Sequence, residues 1–189
     1  MIVEILKADG LKVLSNSGGS NLARGIASEL AMKSSVFGKI KEEIGVYEVD
    51  EATLPEVVDY VKPRAIVITN IFRDQLDRYG EVDKTAAILQ KAIDSSAESI
   101  LILNADDPIV ASIGKDPRPG ETSRNNVVYF GVQDEKLEAK SDLAIDIKDC
   151  LICGHELVYP HRYYGHIGLY VCENCGFSRP KTKITAKNV

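Results

Sequence analysis

A chain of 189 residues, 44% hydrophobic and 27% charged, suffices for one domain with an ordinary core, with or without a small appendage. Its net charge of −5 excludes the basic footprint of a nucleic-acid-binding protein. No apolar run approaches the ~18 residues of a membrane span, and the early charges of MIVEILKADG do not read as a signal peptide, so the expected compartment is the cytoplasm.

Taken in chain order, MIVEILKADG predicts a short amphipathic helix stopped at Asp9-Gly10, and LKVLS a short strand. Ser20 to about Lys33 predicts a helix, with Leu22, Ile26, Ala27 and Leu30 at helical spacing. GVYEVDE predicts a strand that runs into acids. Thr53 is placed to cap the next helix, with Glu56 completing a capping box. RAIVITNI is a strand and Val82 to Ser95 a helix. SILILN is a strand leading into NADDP, and Asn104 or Asp106 could open the helix DDPIVASIG, with Pro108 in its first turn. KDPRPGETSRNN (residues 115–126) is the best flexible loop, and NVVYFGV the last strand. The alternation predicts an α/β fold, a mostly parallel sheet with helices on both faces.

In such sheets, ligands sit beyond the carboxyl ends of the strands. Four segments leave a strand with unusual polarity: LSNSGGSN, YEVDE, TNIFRDQLDRYGE and LNADDP. Together they mark a candidate site. Glu48, Asp50 and Glu51 form a hard-oxygen cluster suited to magnesium, although Asp50 and Glu51 serve equally well as helix caps. Glu48 falls inside the strand pattern, where an unpaired charge is costly, and is the first choice for a metal ligand. Asn104 and the Asp106-Asp107 pair could grip ribose or base edges. Arg73 and Arg78 could hold an anion, or Asp74 to Arg78 could form a solvated turn. A phosphate loop of the form GxxxxGK[ST] is missing: neither Gly38-Lys39 nor Gly114-Lys115 has the upstream glycine or the following Ser or Thr.

The tail carries Cys150, Cys153, Cys172 and Cys175, two C-x2-C pairs separated by eighteen residues. That spacing is a strong zinc signature, and four thiolates make a closed, structural site. Gly154 and Gly176 follow the pairs, as turning backbone around a knuckle requires. Disulfides do not suit a chain without a signal peptide, and a redox C-x-x-C would not need two matched pairs. All three histidines, His155, His161 and His166, lie in this module. With the zinc already filled, they are expected to pack or hydrogen-bond between the knuckles. From Lys148 onward, six Lys and Arg face three acids, and a zinc held by four thiolates subtracts two charges. The module is then nearly neutral, a poor fit to nucleic acid despite its tyrosines.

EVDEA, TNIFRDQLDRYGE, LNADDP, YFG and a four-cysteine ribbon ending in CGFSRP together resemble the central domain of the MurT-type subunits of lipid II isoglutaminyl synthase, a branch of the Mur ligases. The resemblance covers nearly the whole chain, and the inserted ribbon separates this branch from other Mur ligases. It implies an ATP-dependent carbon–nitrogen ligase that amidates the α-carboxyl of D-isoglutamate in lipid II, with the carboxyl activated as an acyl phosphate. Ammonia would come from a GatD-type glutaminase partner. By position, Glu48 would hold Mg2+ and act with Asp74 in catalysis. Asn70 and the loop through Asp74 and Asp77 would line the ATP site, and Asn104 and Asp107 would contact the adenosine part. Gln75 stands where other Mur ligases carry a metal-binding histidine. Asn16, Gly19 and Asn21 match an N-x-x-G-x-N stretch, with Ser17-Gly18 departing from it.

On this basis residues 1–142 are expected to form a partial central domain lacking the phosphate loop, 143–180 the zinc ribbon, and 181–189 the start of a return to the central domain. The chain is expected to lack the family's first sheet strand and its carboxyl-terminal docking domain, and to be inactive alone. The alternatives are a zinc-ribbon binding or scaffold module, or a remnant completed in trans.

Overall fold

Short apolar runs flanked by polar turns form the strands, and the helices between them cover one another. The computed structural model describes residues 1–16, 20–71, 81–115, 126–134 and 147–187. Gly19, Arg73, Asp74, Gln75, Asp77, Arg78, most of the loop 115–126 and the boundary at 142/143 lie outside them. In order come α1 (Ile2–Ala8), β1 (Val13–Leu14), α2 (Ala23–Lys33), β2 (Ile44–Gly45), α3 (Leu54–Val61), β3 (Ala65–Ile68) and α4 (Glu81–Asp94). Next are β4 (Ile100–Asn104), α5 (Pro108–Ile113), β5 (Val127–Val132), β6 (Val158–Tyr164), β7 (Ile167–Val171) and β8 (Ile184–Ala186).

The main sheet has the order β3-β4-β5-β8, and every neighbouring pair is parallel. β1 and β2 form a separate parallel pair, and β6 and β7 an antiparallel hairpin. The hairpin is inserted between β5 and β8: the chain leaves the sheet, builds the hairpin, and returns beside Phe130 at Ile184. Ile66, Ile68, Leu101 and Leu103 point into a core closed by Leu89, Ala92 and Ile93 of α4 and by α5, buried at every residue but Ser112. α4 presents those three residues at i, i+3 and i+4, the spacing of one helical face. On the opposite face of the β3 edge, Val67 and Ile100 remain 43% and 45% exposed, so AIVI is buried on one side only. The same core cluster includes Ile147, Leu157, Tyr170 and Phe177, so hairpin and sheet share one hydrophobic interior.

Four local expectations change. The helix expected from Ser20 begins at Ala23, because Asn16 Nδ2 takes the Ser20 carbonyl that a helix would need. The strand expected over GVYEVDE stops at Gly45. Farther on, the Glu48 N–H donates to Asn16 Oδ1 and its carbonyl accepts from Asn16 Nδ2, so a side chain replaces the ladder. Glu48 is therefore exposed beyond β2, and the buried-strand argument for it does not hold. Thr53 is the N-cap of α3, yet its hydroxyl donates to Asp50 O instead of forming a capping box, and its backbone is already helical. β5 is also not the last strand, since β6, β7 and β8 follow.

Candidate functional site

The two C-x2-C turns bring four thiols to one point, with all four Sγ atoms within 4.8 Å of one another. Contacts run crosswise, Cys150 to Cys175 at 3.6 Å and Cys153 to Cys172 at 3.5 Å. A disulfide needs about 2.05 Å, and the four cysteines are free. A tetrahedron of thiolates around zinc, with Zn–S near 2.3 Å, needs edges of roughly 3.8 Å. The cluster thus has the size and donor set of a metal centre. Gly154 and Gly176 adopt φ of +73° and +75°, which lets each knuckle turn.

Amide N–H groups point at these sulfurs. The His155 N–H lowers the Cys153 thiol to about 6. Burial pushes Cys150 up against the Ile152 and Cys153 N–H groups. Cys175 receives the Phe177 N–H, which favours thiolate, but burial and the three neighbouring thiols together outweigh it and push it up to about 12. One sulfur ionises readily and others resist, as expected where several anions would crowd one point without a cation.

The hairpin is fastened to the sheet through the NADDP loop. Residues 166, 168 and 170 meet 107, 106 and 105 in turn. His166 Nε2 lies 3.6 Å from Asp107 Oδ2, the Gly168 N–H donates to Asp106 O, and the Tyr170 hydroxyl donates to Ala105 O. Asp106 Oδ1 pairs with Arg179 Nε at 2.5 Å, while its Oδ2 accepts from the Val132 N–H. Burial nevertheless outweighs the Val132 N–H and Arg179 and raises the Asp106 carboxyl above the ordinary aspartate range. Gly131 is required beneath this pair: a Cβ there would lie 2.6 Å from Arg179 Nη2 and 2.7 Å from Asp106 Oδ1. Burial likewise raises the Tyr170 hydroxyl.

Asp107 is fully buried and is itself the N-cap of α5, a role expected for Asn104 or Asp106. Its Oδ1 accepts from the Ile109 and Val110 N–H groups, and its Oδ2 accepts from the Ile71 N–H at 2.9 Å. In this geometry the carboxylate is engaged with backbone, and the polar group nearer the surface is Asn104. Asn104 is half-buried, and its Oδ1 accepts from the Asp106 N–H. Asn70 is exposed just past β3, so Asn70 and Asn104 stand at the carboxyl edge of neighbouring strands. Glu48 sits past β2, clamped through its backbone by Asn16. No hydrogen bond or ion pair among the described residues joins it to Asn70 or Asn104. Asp74 and Asp77 lie outside the described residues.

The histidines divide three ways. His155 Nδ1 lies 3.2 Å from Cys153 O at the first knuckle. His161 meets Tyr163 edge to face, and His166 lies against the sheet domain instead of between the knuckles. Sequence reasoning missed Asn16 as the clamp on Glu48, and missed Arg179 and His166 as partners of the aspartates. One signal was available: two adjacent acids inside ILILNADDPIVASI demand partners wherever that segment is buried.

The family described as the Mur ligase middle domain matches residues 1–153. The subunit MurT of lipid II isoglutaminyl synthase (glutamine-hydrolyzing) from Staphylococcus aureus (strain COL) is 34% identical over 183 residues, covering 97% of this chain and 39% of that protein. Its counterpart from Streptococcus pneumoniae (strain ATCC BAA-255 / R6) is 38% identical over 182 residues, covering 95% and 38%. Among solved structures, a pseudomurein peptide ligase type C from Methanothermus fervidus superposes with a TM-score of 0.73 at 29% identity, over all of this chain and 35% of that one. The chain therefore spans under two-fifths of the length of these relatives.

Proposed function

The chain belongs to the Mur ligase family through its middle domain, and from that premise we propose that it forms part of an ATP-dependent amidoligase subunit. The reaction is amidation of the D-isoglutamate α-carboxyl of lipid II, with ammonia delivered by a GatD-type glutaminase partner. One observation carries the choice within the family. Identity to the two MurT subunits is 34% and 38% over 97% and 95% of this chain, ribbon included, against 29% to the pseudomurein peptide ligase, which also superposes over the whole chain.

Two cofactor roles follow. Cys150, Cys153, Cys172 and Cys175 hold a structural zinc, a choice that all-sulfur, tetrahedral donation favours. Glu48 holds magnesium, which typically takes one or two carboxylates and fills its remaining positions with phosphates and water. Bound magnesium would neutralise charge on the nucleotide phosphates. Asn16 holds the Glu48 backbone by two hydrogen bonds and so fixes where that carboxylate starts. Asn70 and Asn104 line the strand edge and offer amide groups to the nucleotide. Asp74 and Asp77 belong to the same expected site.

Calorimetric titration of Mg-ATP into the zinc-loaded chain, beside Glu48→Ala, tests this. Binding should occur and weaken about tenfold or more in the variant, as for loss of a charged contact. A folded, zinc-loaded chain that takes up no Mg-ATP would remove the nucleotide site from these residues. The zinc centre and the family would stand.

A further inference from the structure

Asp107 stands where three parts of the molecule meet. Its Oδ1 closes the first turn of α5. Its Oδ2 receives the Ile71 N–H at 2.9 Å, immediately after Asn70 at the end of β3. The same Oδ2 lies 3.6 Å from Nε2 of His166, in the turn between β6 and β7. His166 and Asp107 are both fully buried, so the contact is shielded from water. The hairpin turn that carries His166 is held in register twice more, by Gly168 on Asp106 and Tyr170 on Ala105. At its far end the hairpin is closed by the cysteine cluster, since Cys150 and Cys153 precede β6 and Cys172 and Cys175 follow β7.

From this arrangement we infer that Asp107 is a positioning residue through which the cysteine ribbon, acting by His166, sets the backbone at Asn70 and Ile71. A buried carboxylate costs free energy unless its oxygens are satisfied. Here one oxygen is satisfied by a helix, and the other accepts from a strand end while the ribbon's imidazole packs beside it at 3.6 Å, longer than a hydrogen bond. Displacing the hairpin takes away the imidazole beside Oδ2 and opens that oxygen to water. The Ile71 N–H then competes with solvent for its acceptor. The ribbon is thus a brace for the strand edge as well as an appendage. Its bearing on ligation rests on the nucleotide site proposed above, but the brace itself does not.

Asp107→Asn separates the two roles of the carboxylate. An asparagine oxygen still caps α5, while its NH2 cannot accept from the Ile71 N–H. Amide hydrogen exchange of the zinc-loaded chain should show Ile71 exchanging on the order of tenfold faster or more, with Ile109 and Val110 little changed. His166→Leu should speed Ile71 in the same way, and His166→Gln, which can return a donor to that side, should restore part of its protection. Removing the metal with a chelator should also accelerate Ile71. Exchange at Ile71 that stays at the wild-type rate in Asp107→Asn would overturn the inference. So would acceleration that merely tracks Leu101 and Leu103 in the sheet core, because that reports global loosening. If Asp107→Asn does not fold, the His166→Leu and His166→Gln pair decides by the same comparison. Localised acceleration in a chain that binds no Mg-ATP would sustain the brace and remove the nucleotide reading.

Discussion

The cysteine ribbon and the carboxyl edge of the sheet are built on opposite plans. In the ribbon, each C-x2-C turn supplies two sulfurs within four residues, and one hairpin joins the two turns. At the strand ends, Asn16 and Glu48 follow the separate β1-β2 pair and Asn70 and Asn104 stand at the edge of the main sheet, and each is held by a different neighbour or by none among the described residues. A local site can be complete in itself once its two turns meet. A dispersed site is only as well placed as the elements that carry it, and here the ends of β3 and β4 meet the ribbon through Asp106 and Asp107. The insertion that looks dispensable to the sheet is therefore part of what shapes its edge.

The largest test removes the local site. Cys172→Ala should abolish stoichiometric zinc and the charge-transfer bands of a four-sulfur cobalt derivative. Structural zinc binding is worth roughly 10–16 kcal/mol in small zinc domains, so the ribbon should lose its fold. If the two regions are as coupled as their shared core indicates, thermal unfolding of the sheet should shift with it. An unchanged sheet transition would show the regions to be independent.

A smaller effect is expected from cutting the seam. Asp106→Ala leaves the Arg179 guanidinium, 15% exposed, without its carboxylate. Loss of one partner from a buried pair costs about 3–5 kcal/mol, measurable by denaturant unfolding. The cysteine centre should still take up zinc, because its ligands lie outside the seam. A variant as stable as wild type would mean that the Asp106–Arg179 pair adds nothing to the seam beyond the shared core and the Gly168 and Tyr170 hydrogen bonds.

The smallest effect concerns protons within the ribbon. The His155 N–H lowers Cys153 from an ordinary value near 9 to about 6. In the metal-free chain, the stabilisation from that thiolate is complete above about pH 9 and is lost as pH falls through about 6. At pH 7 Cys153 is already ionised, so zinc loading takes no proton from it. At pH 5 it must be deprotonated, and loading should release about one proton more. Calorimetry in buffers of different ionisation enthalpy counts these protons. A count that does not change between the two pH values would contradict this ordering of the thiols.

The same contrast governs how much was legible in advance. The four cysteines and the two knuckle glycines were readable because a metal knuckle is a local object, defined by spacing and by a positive φ that glycine tolerates. Most strands and helices were readable from apolar period. The strand ends were not. GVYEVDE has a good strand composition, but Asn16, thirty-two residues earlier, occupies both backbone groups of Glu48. Asp107, which the resemblance implies as an adenosine contact, is buried against α5, Ile71 and His166, and no local pattern announced those neighbours.

From sequence alone come the parallel α/β order, the four-sulfur centre, and the family resemblance that the later comparisons support. These depend on periodicity, spacing and motif, all local along the chain. Only the tertiary structure decided that the Asp106-Asp107 pair turns inward to bind the ribbon, through Arg179 seventy-three residues away and through His166. The physical reason is that a buried charge is tolerable only beside a partner, and distance along the chain says nothing about which partner folding will bring.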